Sequence, residues 1–230
     1  MQAVIFDYAR TLVSFDLDRE DLVRTMAGAL PLLDGPPITA RALVDNVLMP
    51  LDHRLLGRDG ALDEVDYEAA YAHAWVEAGH HPAPAALHRI MELEQDVWRR
   101  SARLAPEALP TLAELRRRGL RLGVCSNSPY PGAYIAAQLR HLGIADLFDA
   151  VVVSADLGRR KPAPEIYRAA LDGLAVPPAE ALFVGDQVPE DYDGPRLMGM
   201  RAVICTALRR DPRPPEGAES IPDLSGVLSL

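Results

Sequence analysis

Lysine is nearly missing from this chain. Of its 24 basic residues, a single one, Lys161, is lysine and the rest are arginine. A composition bias toward arginine accounts for the depletion. Under that bias, the one position that keeps a compact ammonium rather than a guanidinium fork stands out. Cysteine is scarce as well. Cys125 and Cys205 both sit in apolar runs, which reads as two buried free thiols in a reducing compartment and argues against a disulfide-stapled scaffold. No apolar run approaches the roughly 18 residues of a membrane span, and "AVIF" before the first charge is far too short for a secretory h-region. A cytoplasmic protein without a membrane partner is therefore expected. The formal charge of -9 also disfavours nucleic acid and anionic membranes. An anionic small substrate would need a local cationic site.

What is present is an ordinary globular mix: 230 residues, 49% apolar and 25% charged. That is enough for one good-sized domain, or for a core with an insertion. Five short apolar segments read as strands: "AVIFD" (3–7), "LRLGVCSN" (120–127), "AVVVSA" (150–155), "ALFVGD" (181–186) and "RAVICT" (201–206). They are continuously apolar rather than alternating, which suits a parallel sheet covered on both faces. Helical patterns alternate with the last four. The order predicts an α/β, doubly wound, Rossmann-like parallel sheet.

Between the first strand and residue 105 no segment reads as a strand. "DREDLVRTMAGAL", "TARALVDNVLMPL", "DEVDYEAAYAHAWVEAG" and "PAALHRIMELEQDVWRRSARL" carry apolar residues three and four apart, predicting about four amphipathic helices. "LDGPP" and "HHPAP" mark turns between them. "RRDPRPPEGAES" (209–220) reads as an exposed connector before a short final helix in "PDLSGVLSL".

In open parallel sheets, functional groups gather at the carboxyl ends of strands where strand order reverses. The first strand ends in Asp7, the second in Ser126 and Asn127, the fourth in Asp186, and Lys161 follows the third in "GRRKPAPEIY". One carboxylate can attack a phosphorus, and another can share a divalent cation. Hydroxyl and ammonium can hold the oxygens of a transferring group. Each feature also has a plain structural reading. A strand-end Asp serves as a helix cap, Ser126-Asn127 as a turn, and Pro162 and Pro164 as helix starters. Asp186 and Asp191 would suit the N-terminal end of a helix dipole. His53, His80, His81 and Tyr130 read as surface or loop residues, and "HH" before Pro lacks a metal-ligand spacing.

Taken together and in order, the four stretches resemble the haloacid dehalogenase superfamily. Its first motif, an apolar strand then D-x-D-x-T, corresponds to "FDYART". Its second, a strand ending in Ser or Thr, corresponds to "GVCSNS". "KPAPEIY" matches K-P-x-P-x-x-Y, and "GDQVPEDYDG" matches G-D-x-x-x-x-D-x-x-G. The resemblance implies a core over 1–15 and 104–230, with an inserted all-helical cap over 16–103. It also implies Mg2+ held by Asp7, the backbone carbonyl of Ala9, Asp186 and Asp191. Asp7 would be the nucleophile, with Ser126 and Lys161 as catalytic partners, Asn127 and Arg10 toward the substrate, and a small phosphorylated metabolite as that substrate. The cap would supply further contacts, with His53, Arg54, Arg58 and Trp75 as candidates. A monomer or homodimer is expected.

Two positions depart from the pattern. Ala9 stands where phosphatases of the superfamily carry the second aspartate, which protonates the leaving group and later activates water. Arg10 stands where glycine is usual, and would either reach the mouth of the site or point to solvent. Haloacid dehalogenases place a tyrosine two positions after the nucleophile, whereas Tyr8 is one position after. Phosphonoacetaldehyde hydrolases do carry alanine at this place, but they use a cap lysine, and this cap has none. A slow or specialised phosphatase is thus expected. The alternatives are a non-catalytic binding or regulatory protein on the same fold, and a dehalogenase-like or phosphonatase-like hydrolase.

Overall fold

The computed structural model describes residues 1–58 and 60–230. The chain forms two compact units, one of Met1–Ser14, Gly60–Glu64 and Arg103–Leu230, the other of Phe15–Asp59 and Val65–Ala102. Its strands, in chain order, are β1 (Ala3–Phe6), β2 (Val13–Phe15), β3 (Ala102–Leu104), β4 (Arg121–Ser126), β5 (Ala150–Val153), β6 (Ala181–Gly185), β7 (Arg201–Cys205) and β8 (Ser220–Ile221). Six of them make one parallel sheet in the order β5-β4-β1-β6-β7-β8, and β2 pairs with β3. The doubly wound sheet with an inserted helical region is the architecture that the sequence pattern implies.

All four residues of β1 are fully buried, as are all five of β6. This is why these strands carry no polar alternation. Helix Pro164–Leu174 lays Ile166, Tyr167, Ala170, Leu171 and Leu174 against Ala3, Ile5, Cys125 and Phe183 of the sheet. That spacing of three and four is the apolar stripe of a helix seated on a sheet face. Phe6 is in register with Val124 on one side and Val184 on the other. Asp7 therefore lies one residue beyond the pairing of the central strand, and its N–H donates to the Val184 carbonyl at 2.8 Å. From β1 the chain builds outward through β4 and β5, then crosses back to β6 and β7. Strand order reverses at β1, at the carboxyl end that bears Asp7.

The second unit holds helices Arg19–Met26, Met49–Leu56, Tyr67–Glu77 and Pro84–Ser101, with shorter helical turns between. Asp18, Thr39 and Asp66 cap helix starts by accepting from Glu20, Ala42 and Ala69 N–H groups, which supplies partners for otherwise unpaired donors. Tyr67, Tyr71 and Trp75, four residues apart on one helix, pack ring to ring, and His80 abuts Trp75.

The structure corrects four expectations. Strands do occur between β1 and residue 105, because β2 and β3 pair with each other; three residues each are too few to show a period. A short edge strand, β8, appears where the connector ends, and the final segment Leu224–Ser229 is a 3-10 helix capped by Asp223. His80 and Tyr130 lie in loops as expected but are buried, His80 with Nδ1 2.7 Å from the Asp34 carbonyl. Trp75 is fully buried in the helical unit, so it offers no surface to a ligand.

Candidate active site

Asp7, Asp186 and Asp191 converge beyond the ends of β1 and β6, each presenting a carboxylate oxygen within 4.8 Å of the others. All three are buried. Between two of them lies Lys161, 2% exposed, whose Nζ donates to Asp7 Oδ1 and to Asp191 Oδ1, both at 2.7 Å. The fixed positions around these residues have physical causes. A Cβ on Gly185 would lie 2.3 Å from the Asp191 carboxyl carbon, so only glycine lets that side chain fold back. There Asp191 Oδ2 accepts the N–H groups of Asp186 and Gln187, both at 2.9 Å. A Cβ on Gly194 would meet the Tyr167 hydroxyl at 2.2 Å, and that hydroxyl donates to the Glu190 carbonyl. The tyrosine of "KPAPEIY" and the glycine of "DYDG" are thus two sides of one contact.

Lys161 is aimed by Asn127. The Asn127 Nδ2 donates to the Lys161 carbonyl at 2.9 Å, and the Lys161 N–H donates to Asn127 Oδ1 at 2.7 Å. Both ends of the amide are spent on the lysine backbone, which makes Asn127 a positioning residue. Ser126 ends β4 and is buried. Thr11 donates its hydroxyl to Asp7 Oδ2 at 3.3 Å. Arg10 reaches the site: its Nε donates to Asp186 Oδ2 at 2.9 Å, and Gln187 Nε2 donates to the same oxygen at 3.0 Å. Ala9 is partly exposed in the turn after β1, where the Arg10 N–H donates to the Val13 carbonyl.

Three acids and two cations in one pocket perturb each other. Asp7 is raised to about 7, by burial first, with Lys161 pulling it down and Asp191 and Asp186 pushing it up. Burial and Asp191 raise Asp186, and Arg10 opposes them. Burial alone would lower the Lys161 ammonium, but Asp191 and Asp7 outweigh it and hold it well above the ordinary range. An excess of buried negative charge carried by oxygen-only donors suits a hard divalent cation. The residues present fit such an ion.

A family profile described as haloacid dehalogenase-like hydrolase matches residues 1–199. The chain belongs to that family. Among curated relatives, phosphoglycolate phosphatase of Rhodospirillum rubrum is 34% identical over 92% of this chain and 86% of its own length. Phosphoserine phosphatase of Thermus thermophilus is 39% identical over 68% of this chain, and the match spans 59% of that relative. Solved structures agree on the fold. A phosphatase from Thermococcus onnurineus superposes with a TM-score of 0.64 at 22% identity, covering 100% of this chain and 97% of that one. A 2-haloacid dehalogenase from Pseudomonas syringae gives 0.67 at 24% identity, with the same coverages.

Two features of this site escape the sequence. Buried Arg160, beside Lys161, pairs with Glu64 at 2.6 Å, and Ser154 Oγ donates to the same Glu64 oxygen at 2.6 Å. Arg209 donates from Nε to the Asp186 carbonyl at 2.8 Å. Their partners lie 96 and 23 residues away, which no local pattern in the sequence reports. Of the helical-unit candidates, Arg54 and Arg58 line a depression of about 330 Å³ with His73 and Glu77, and His53 is exposed. Cys125 and Cys205 are free and buried, and burial pushes their thiols up to about 12 and about 11. No helix among the described residues is long and apolar enough to cross a membrane.

Proposed function

We propose that this chain is a Mg2+-dependent phosphohydrolase that acts on a small phosphorylated metabolite through an aspartyl-phosphate on Asp7. The observation that carries the reading is the bridging of Asp7 and Asp191 by Lys161 Nζ, next to Asp186. Asp7, Asp186, Asp191 and the carbonyl of Ala9 would hold the metal, which supplies neutralisation of the acids and of the arriving phosphate. An Asp7 oxygen attacks the phosphorus, and the bond to the leaving oxygen breaks. Lys161 uses two of its three donors on the aspartates and keeps one for a phosphoryl oxygen. The Ser126 hydroxyl stands at the adjoining strand end for another. Asn127 fixes the lysine. The names of the curated relatives, phosphoglycolate and phosphoserine phosphatases among them, support the substrate class. The division into a core of 1–15 and 104–230 and a cap of 16–103, the monomeric or homodimeric state and a cytoplasmic setting go with this reading.

Ala9 limits the chemistry. Proton transfer by a positioned acid contributes about 100- to 10,000-fold, or roughly 3 to 5 kcal/mol. A methyl group at this place gives neither a proton to the leaving alkoxide nor a base for the water that cleaves the intermediate. Aryl and acyl phosphates need no such proton, and alkyl phosphates do. Wild-type protein with Mg2+ is expected to hydrolyse an aryl phosphate slowly and a sugar phosphate barely. Ala9→Asp is expected to raise sugar-phosphate turnover by about 100-fold or more. Efficient wild-type turnover of an alkyl phosphate would sink the assignment of Ala9. Metal binding without turnover in either protein would favour the non-catalytic binding protein. Dehalogenase-like chemistry is disfavoured by the position of Tyr8, and phosphonatase-like chemistry by the single lysine, which lies in the sheet unit.

A further inference from the structure

Arg10 is held in a conformation that arginine does not choose. Its φ is 63°, in the left-handed region that favours glycine, and an L-residue there costs roughly 1 kcal/mol or more. Strain of this kind persists where the surroundings over-determine it. Here the side chain spans from a partly exposed position, 36% accessible, to the 3%-accessible carboxylate of Asp186. The Asp186 Oδ2 atom that Arg10 engages also accepts from Gln187. That carboxylate belongs to the cluster of three whose oxygens converge on one point. The other two acids already share Lys161. Against three carboxylates stand Lys161, bonded to Asp7 and Asp191, and Arg10, bonded to the Asp186 carboxylate.

We propose that Arg10 is an intramolecular counter-ion that competes with the divalent cation for Asp186, so that metal binds only as the guanidinium releases that carboxylate. The ion pair offsets part of the negative charge of the site while metal is absent, and it weakens metal affinity by the same interaction. Two positive charges on one buried carboxylate repel each other, and the partly exposed arginine is the one with somewhere to go. This rests on the metal-binding part of the proposed function and is independent of turnover.

The test is Mn2+ binding to the full-length protein without substrate, read by electron paramagnetic resonance, in wild type, Arg10→Gly and Arg10→Gln. Both variants are expected to bind Mn2+ at least about ten-fold more tightly, the smallest effect expected from removing a contact charge at a buried carboxylate. Arg10→Gly also relieves the backbone and Arg10→Gln does not, so tightening in glycine alone would assign the effect to strain and overturn the proposal. Unchanged or weaker binding in both variants would overturn it as well. No Mn2+ bound by any of the three proteins would overturn it together with the metal site. Tightened Mn2+ binding without phosphatase turnover would uphold it and count against the proposed reaction instead.

Discussion

The sheet unit and the helical unit both bury acids, and they treat them in opposite ways. In the sheet unit Asp7 and Asp191 share Lys161, Asp191 also takes two backbone N–H groups, and Asp186 takes Arg10 and Gln187. In the helical unit Asp52 and Glu94 are as deeply buried. Among the described residues, no hydrogen bond of good geometry reaches either oxygen of Glu94. Burial, then Asp52, push Glu94 well above the usual carboxylate range, and Tyr71 only partly opposes them. The first cluster sets Lys161, Arg10 and backbone N–H groups against its acids, although burial still raises Asp7 and Asp186. In the second, burial favours the protonated form of Glu94, so its charged form costs the fold stability as pH rises.

The largest effect is expected from removing the lysine. Lys161→Met leaves Asp7 and Asp191 buried without their shared partner, and breaking a buried pair in this way costs about 3–5 kcal/mol. Thermal unfolding should fall by roughly 10 °C at this chain length, and part of the loss should return with excess Mg2+. An unchanged midpoint would mean that these acids do not depend on the lysine. Lys161→Arg should fold better yet fail to bind a phosphate mimic, since a planar fork cannot take the place of a compact ammonium. Phosphate-mimic binding close to wild type in that variant would remove the special role of the lone lysine.

Asn127→Ala tests the aiming of that lysine. It leaves the Lys161 backbone donor and acceptor without their partner, at a cost of about 1–3 kcal/mol, and should weaken binding of a phosphate mimic such as vanadate. Stability loss with unchanged vanadate affinity would reduce Asn127 to a fold residue.

The smallest effect belongs to the helical unit. A carboxyl raised in the folded state carries no penalty below its unfolded pKa of about 4.3 and an increasing one as pH rises above it. Glu94→Gln should therefore stabilise the protein by about 1 kcal/mol near pH 8, and the gain should shrink toward pH 4. Urea unfolding at the two pH values measures it. A variant that is less stable at both would show that the charged form is satisfied after all.

The legible parts were those governed by local pattern. Continuous apolar runs placed β1, β4, β5, β6 and β7, and the fixed spacings of "KPAPEIY" and "GDQVPEDYDG" placed Lys161, Asp186 and Asp191 in one site. The sequence could not say whether Arg10 faced solvent or the cluster, because that depends on a contact with a residue 176 positions away. It could not show Glu64 under Arg160 for the same reason. Nor could it foresee that Asn127 would spend its amide on a backbone, since a strand-end polar residue looks the same whether it faces a ligand or a neighbouring turn. β2, β3 and β8 were missed because two or three residues carry no period.

In the proposed reaction Asp7 is the nucleophile of a site in which Ala9 replaces the second acid. The most direct measurement is rapid acid quench of the Mg2+-loaded protein mixed with an aryl phosphate, followed by peptide mass spectrometry. Phosphate is expected on Asp7, accumulating in wild type and shorter-lived in Ala9→Asp. Turnover with no phosphate on Asp7, or a label that persists equally in both proteins, would contradict it.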